Sequence, residues 1–345
     1  KNTNYDVILG WDKKKNTSSF DIIEKKKINY KITSNGFRKS KYFKYKNSII
    51  TFGDSYVFAR QVENENTWQE FLSKYTKKFI SNYGVGNYGL DQAYLKSKKV
   101  RLKKNTKIVI FGFVPETICR IQSIWKNFLE FGNLHGFKPY CKISNNKIKI
   151  FNNYLKKNTK ITDLNKIIKK IEKEDRFFSE KFEKKIFKFP YLFSFFKDFD
   201  QNINLIKNTF FLSFKKNLTP KKINQIIFPY IMADNIKNSH KLYKEKYSAF
   251  LMENLIKTIN TEFILKKKKV YFVIFPQLMD LKIETRKYYQ EFYKNLKNHA
   301  NIIDLTNDFK SLNYKKYFIN DKYGGHLNIK GNKFVANILK NKIKI

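Results

Sequence analysis

Four or five short runs rich in β-branched and aromatic residues, set apart by amphipathic stretches, constrain this chain most. Ser48 to Phe52, Phe79 to Val85, Lys107 to Phe111, Val270 to Phe275 and Asn301 to Leu305 recur in the alternation that a parallel sheet with crossover helices requires. They predict an α/β fold around a parallel sheet of about five strands. Between the first two runs, TWQEFLSKY (67 to 75) reads as a helix opened by a threonine cap, and LDQAYLKSKK (90 to 99) reads as another after the second.

Residues 120 to 265 break the rhythm. This stretch is rich in Lys and Phe and mostly helical by period, with a long candidate helix from Asn238 to about Leu265 that has Ser239 near its cap. It reads as an insertion between the third and fourth strands, placed where it would serve as a lid. Near its start, GFKPYCKISNNKIKIFNN (136 to 153) alternates around a Ser-Asn-Asn turn and predicts a β-hairpin. A final helix from about Ile329 to Lys340 sets Phe334, Val335, Ile338 and Leu339 on one face. Residues 1 to 45 form a lead-in, and the 345 residues suit a single large domain with its insertion.

Composition narrows the function by exclusion. Lys and Arg number 71 against 29 Asp and Glu, a formal charge of +42. A balance of this size invites nucleic acid, but the lysines spread over almost every segment instead of gathering on one recognition helix. They read as solvated faces, and no specific nucleic-acid partner is expected. Cys119 and Cys141 show neither CxxC spacing nor a nearby histidine pair, so a zinc site or disulfide framework is not indicated. No apolar run approaches the ~20 residues of a membrane span. The chain starts at Lys1 rather than Met, so an upstream piece is expected, in which any signal or anchor would go unseen, leaving envelope and cytoplasm both open.

The chemistry gathers at ITFGDSYVFA, 50 to 59. A strand that ends in Gly53, Asp54 and Ser55 delivers a serine to the carboxyl edge of the sheet, where doubly wound folds bind ligands. An Asp/Ser turn alone has the same appearance. A serine hydroxyl attacks only when a base takes its proton, so a histidine has to converge on it. Of four histidines, His240 and His299 read as capping or exposed residues, and His135 as structural within the insertion. His326 differs. It lies in DKYGGHLNIKGNKFVANIL, where Gly324, Gly325 and a cap-forming Asn328 hold it in a loop ahead of the last helix.

ITFGDSYVFA, then NYGVGNYGLDQAYL, then DKYGGHLNIKGNKFVA resemble, in this order, the blocks of the SGNH or GDSL-type hydrolases, over about residues 27 to 343. YKITSNGFRKSKY (30 to 42) is similar to the lead-in of bacterial members. The resemblance implies a doubly wound, flavodoxin-like sheet and a serine esterase or acyltransferase that requires no metal or organic cofactor. It makes Ser55 the nucleophile and His326 the base, with the Ser55 amide as first oxyanion donor. Aligned on Asn82 and Gln92, the family's usual glycine falls on Asn87, beside Gly86, and this turn supplies the second donor.

Two blocks depart from the family. Where it often has Gly-x-Asn-Asp, this chain has GFVPETICR (112 to 120), leaving Glu116 or Thr117 for the pocket edge. Asp54 is a further pocket residue. The acid usually found three residues before the histidine is replaced by Tyr323, so Asp321 is the first choice for the third triad member, with Asp304 and Asp308 behind it. The expected substrate is an acyl ester, on a carbohydrate or lipid, with peripheral or N-terminally anchored attachment to a membrane left open. The competing expectation is a catalytically degenerate domain that binds glycans or a partner protein.

Overall fold

The computed structural model describes residues 3–343 apart from 24–25, 46–47, 131–135, 146, 187, 214–231, 284–286 and 320–324. In chain order its strands are β1 Thr3–Asp6, β2 Gly10–Lys13, β3 Thr17–Ile23, β4 Lys26–Ile32, β5 Ser48–Gly53, β6 Phe79–Asn82, β7 Thr106–Phe113, β8 Tyr140–Ser144, β9 Lys147–Phe151, β10 Lys269–Ile274, β11 Asn301–Asp304, β12 Phe318–Ile319 and β13 His326–Leu327. Five of them form a parallel sheet in the order β6-β5-β7-β10-β11. Counted among themselves these strands run 2-1-3-4-5, the flavodoxin-like doubly wound order.

Both sheet faces are covered, as parallel sheets require. Side chains alternate along each strand, so Ile50, Phe52, Val109, Phe111 and Phe272 enter one core, with Leu90, Leu251, Ile256 and Phe263. Ile49, Ile110, Tyr271 and Val273 enter the other, with Trp68, Leu72, Val335 and Leu339. Each fully buried side chain of this size contributes roughly 1.5–3 kcal/mol of transfer free energy.

Side-chain caps open three of the helices that follow. Helix α1 is Ser55–Phe58, and α2 is Trp68–Thr76, where Thr67 Oγ1 accepts the Glu70 amide. Helix α3 is Leu90–Lys99 and α4 is Thr117–Arg120. Helix α5 is Lys246–Leu265, α6 is Tyr288–Leu296 and α7 is Ile329–Lys342, capped by Asn328 through the Gly331 amide.

The insertion between β7 and β10 contains the β8–β9 hairpin, its turn passing through Asn145 at φ 51°. It is tied to the sheet layer by buried Lys138, which meets Asp91 Oδ2 of α3 at 2.7 Å and donates to the Arg120 carbonyl at 2.8 Å. The expected long helix from Asn238 is two helices. Residues 232–242 form one, the chain breaks at 243–245, and α5 starts at Lys246. Ser239 caps nothing; it is buried and donates to the Ile236 carbonyl. Within the 1–45 lead-in, β1 pairs with β2 and β3 with β4, both antiparallel. Leu9 and Trp11 of the first pack on Val85 and Tyr88, beyond the end of β6. Among the described residues no helix is long and apolar enough to cross a membrane.

Candidate active site

Ser55 leaves the carboxyl end of β5 on a turn that only glycine permits. Gly53 sits at φ +154°, and a Cβ there would stand 1.9 Å from the Gly112 carbonyl oxygen. Asp54 then caps α1, taking the Tyr56 amide at 2.9 Å with one carboxylate oxygen. Its other oxygen takes the Val114 amide at the end of β7, 3.0 Å away. The carboxylate thus pins the turn to the neighbouring strand. Burial pushes the Asp54 carboxyl up from its ordinary value, opposed by the Arg120 guanidinium 3.5 Å away and by these amides.

His326 reaches the serine from the far end of the chain. Its Nε2 lies 2.9 Å from Ser55 Oγ, and the imidazole is buried. Three contacts hold it there. The ring stacks on Tyr56 at 4.9 Å, the Tyr56 hydroxyl donates to the Gly325 carbonyl, and β13 pairs with β12. Gly325 adopts φ +81°, and a Cβ would stand 2.4 Å from Leu278 Cβ.

The 84–89 turn supplies amides. Asn87 sits in the left-handed region at φ 64°, which asparagine tolerates better than most residues, so it does there what the expected glycine would. Trp11 Nε1 donates to the Gly86 carbonyl at 3.1 Å. Because a trans peptide points its carbonyl and following N–H in opposite directions, this bond turns the Asn87 amide away from the indole. Among the described residues, the amides of Ser55, Gly86 and Asn87 donate to no backbone carbonyl. All three residues line one cavity of about 300 Å³ with His326, Trp11, Lys13, Tyr30, Phe58, Arg120 and Gln277. A larger hollow of about 690 Å³ beside α6 is lined by Asp304, Asn307 and polar residues of that helix, away from Ser55.

The remaining expected residues stand as follows. Asp321 lies outside the described residues, as do Gly324 and His135. Asp304 accepts the Thr306 amide and hydroxyl at 2.9 and 2.6 Å, and Asp308 pairs with Lys342 at 2.7 Å. Glu116 and Thr117 sit behind the cavity wall. Glu116 pairs with Arg120 at 2.8 Å, and Thr117 Oγ1 accepts the Leu90 amide at the start of α3. Asp54 is likewise behind the wall, and it is Arg120 that comes forward. Although burial works against its charge, Glu116 and Asp54 hold the Arg120 guanidinium above its ordinary value. His299 is exposed, but His240 is buried, its Nε2 2.6 Å from Asp280 Oδ1, where an exposed or capping residue was expected. Cys119 and Cys141 are buried free thiols.

Sequence reasoning missed Lys13, Trp11, Arg120 and Gln277. Arg120 carried a signal, since an arginine four residues after Glu116 on a short helix pairs with it. The others come from loops and hairpins whose placement depends on the finished fold.

No protein-family model matches the chain, and no curated protein matches it. Solved structures do. An acetyl xylan esterase aligns at 13% identity and TM-score 0.39, covering 86% of this chain and 99% of its own. A member of the lipolytic protein G-D-S-L family from Veillonella parvula aligns at 10% and 0.35, covering 85% and 96%. An alpha/beta hydrolase enzyme from the metagenome of Lake Arreo, Spain, aligns at 9% and 0.38, covering 87% and 97%. At these scores the likenesses carry no residue role to this chain. Strand order gives a flavodoxin-like doubly wound sheet, and the serine after β5 meets the histidine of β13.

Proposed function

We propose that this chain is an SGNH-type serine hydrolase that cleaves or transfers an acyl ester. The observation that supports this reading most is the Ser55 Oγ to His326 Nε2 contact of 2.9 Å, at a cavity also lined by the turn whose amides are unspent. Ser55 Oγ attacks the ester carbonyl while its proton passes to His326 Nε2. The carbonyl oxygen takes up the negative charge, and the Ser55 amide with that of Gly86 or Asn87 receives it. Such preorganised donors are worth roughly 3–4 kcal/mol each in related chemistry. Collapse of the tetrahedral intermediate breaks the bond to the alcohol oxygen, which leaves with the proton from His326. Water, or an acceptor alcohol, then attacks the acyl-serine by the same route in reverse.

Asp321 orients the imidazole in this reading. The insertion serves as a lid over the cavity, because Met232, at the start of the 232–242 helix, lines it. That helix is anchored to the short helix Leu278–Lys282 after β10 by the His240–Asp280 contact. A small cavity with Trp11, Tyr30 and Phe58 on its walls suits a short acyl group on a ring-shaped alcohol, such as a sugar.

A fluorophosphonate probe tests the mechanism, because it modifies only an activated serine. Labelling of the natural protein that disappears in Ser55→Ala and falls steeply in His326→Ala is the expected result. Absence of labelling in the natural protein would leave a binding module as the better reading.

A further inference from the structure

The wall of the Ser55 cavity holds hydrogen-bond donors in excess of acceptors. Lys13, at the end of β2, presents its ammonium 4.0 Å above the Phe58 ring centroid and 5.1 Å from that of Tyr30. Among the described residues its Nζ meets no carboxylate or carbonyl. The carboxylate lining the same wall, Asp21, is taken by Arg60 at 3.2 Å. Gln277 and Arg120 line the same wall. Together with three free backbone amides these groups exceed what the carbonyl of a neutral ester can accept. Unsatisfied buried donors cost about 1–3 kcal/mol each, more when charged, so the wall is complementary to a ligand rich in acceptor oxygen.

We propose that the cavity selects esters whose alcohol part carries an anionic oxygen group, a carboxylate or a phosphate, and that Lys13 is the residue that binds it. This rests on the reading of Ser55 and His326 as an acyl-transfer pair. That pair handles the ester, and Lys13, from the opposite wall-forming hairpin, handles the charge. An ammonium held over two ring faces, with the nearby Asp21 carboxylate already bound by Arg60, is largely desolvated, so an arriving anion gains more from it than from a surface lysine. Arg120 does not substitute, because its charge is already matched by Glu116 and Asp54.

The test separates binding from turnover. Ser55→Ala protein is titrated calorimetrically with O-acetylgalacturonic acid, O-acetylgalactose and O-acetylgalactose 6-phosphate. The charged sugars should bind at least about tenfold more tightly than the neutral one, and raising salt from about 0.05 to about 0.5 M should shrink the gap. Whichever anion binds better identifies the group. Adding Lys13→Met should abolish the preference, and Lys13→Arg should keep most of it. Equal affinity for neutral and charged sugars overturns the proposal before any Lys13 variant is made, and so does a preference that survives Lys13→Met. Fluorophosphonate labelling of the natural protein reports Ser55 independently, so loss of the serine mechanism and loss of anion selectivity give different results.

Discussion

Replacing Lys13 by Met should make the protein more stable, by an amount that depends on pH. Burial pushes the Lys13 ammonium down from 10.5 to about 8, with Asp21 opposing and Arg60, Arg38 and Lys96 assisting. At about 1.4 kcal/mol per tenfold, that depression corresponds to roughly 3 kcal/mol against the folded state. Methionine keeps the packing of the stem but gives up two cation–π contacts worth about 0.5–1 kcal/mol each. The net gain at pH 7 is therefore about 1–2 kcal/mol. Its sign with pH follows from the protons bound. Below about pH 8 the lysine is charged in both states and the full cost is present. Between about 8 and 10.5 the unfolded chain holds the extra proton, so the natural protein gains stability as pH rises. Above that range the cost is gone. Urea unfolding of both proteins at pH 7, 9 and 10.5 reads the difference directly, since every other titrating group is shared. A variant less stable at pH 7, or a gap that stays constant across this range, refutes the reasoning.

Ser55→Ala and His326→Ala should each remove nearly all ester turnover, and the double variant should lose little more, as measured with an aryl acetate. Asp321→Asn should lower kcat on the order of 10² to 10⁴, whereas Asp304→Asn and Asp308→Asn, whose carboxylates serve Thr306 and Lys342, should change it less than about threefold; the reverse pattern reassigns the third member. Gly325→Ala places a Cβ against Leu278 and should displace His326, lowering kcat by about 10² or more while the label on Ser55 weakens. Trp11→Phe keeps the ring but removes the donor to Gly86, and a fall in kcat of about tenfold with little change in KM is expected; unchanged kcat would show that the turn holds without it.

The parallel sheet was legible because its strands are buried on both faces. Runs such as Ser48 to Phe52 need no partner to be recognised, and β5 extends that run only by Gly53. Ser55 and His326 were legible for a related reason, since glycines and caps at fixed offsets leave marks in the sequence. The lead-in hairpins were not. In β3, TSSFDII, residues alternate between half-buried and exposed, so the chain shows no apolar run to notice. The break at 243–245 was hidden because the helical period runs through it, and only the fold shows Tyr243 donating to the Pro115 carbonyl there. His240 was misjudged because Asp280, its partner, is 40 positions away. Lys13 was invisible among so many lysines, since what distinguishes it is its place in the cavity wall and the two rings beneath it.

Ser55 and His326 stand 271 positions apart in sequence, and the wall between them includes Trp11 and Lys13. The proposed chemistry therefore draws on segments from residue 11 to residue 326. In the proposed mechanism, a nascent chain that has not yet presented residue 326 holds Ser55 without its base, and a chain shortened past residue 13 keeps the pair but loses the hairpin whose Trp11 holds the Gly86 carbonyl.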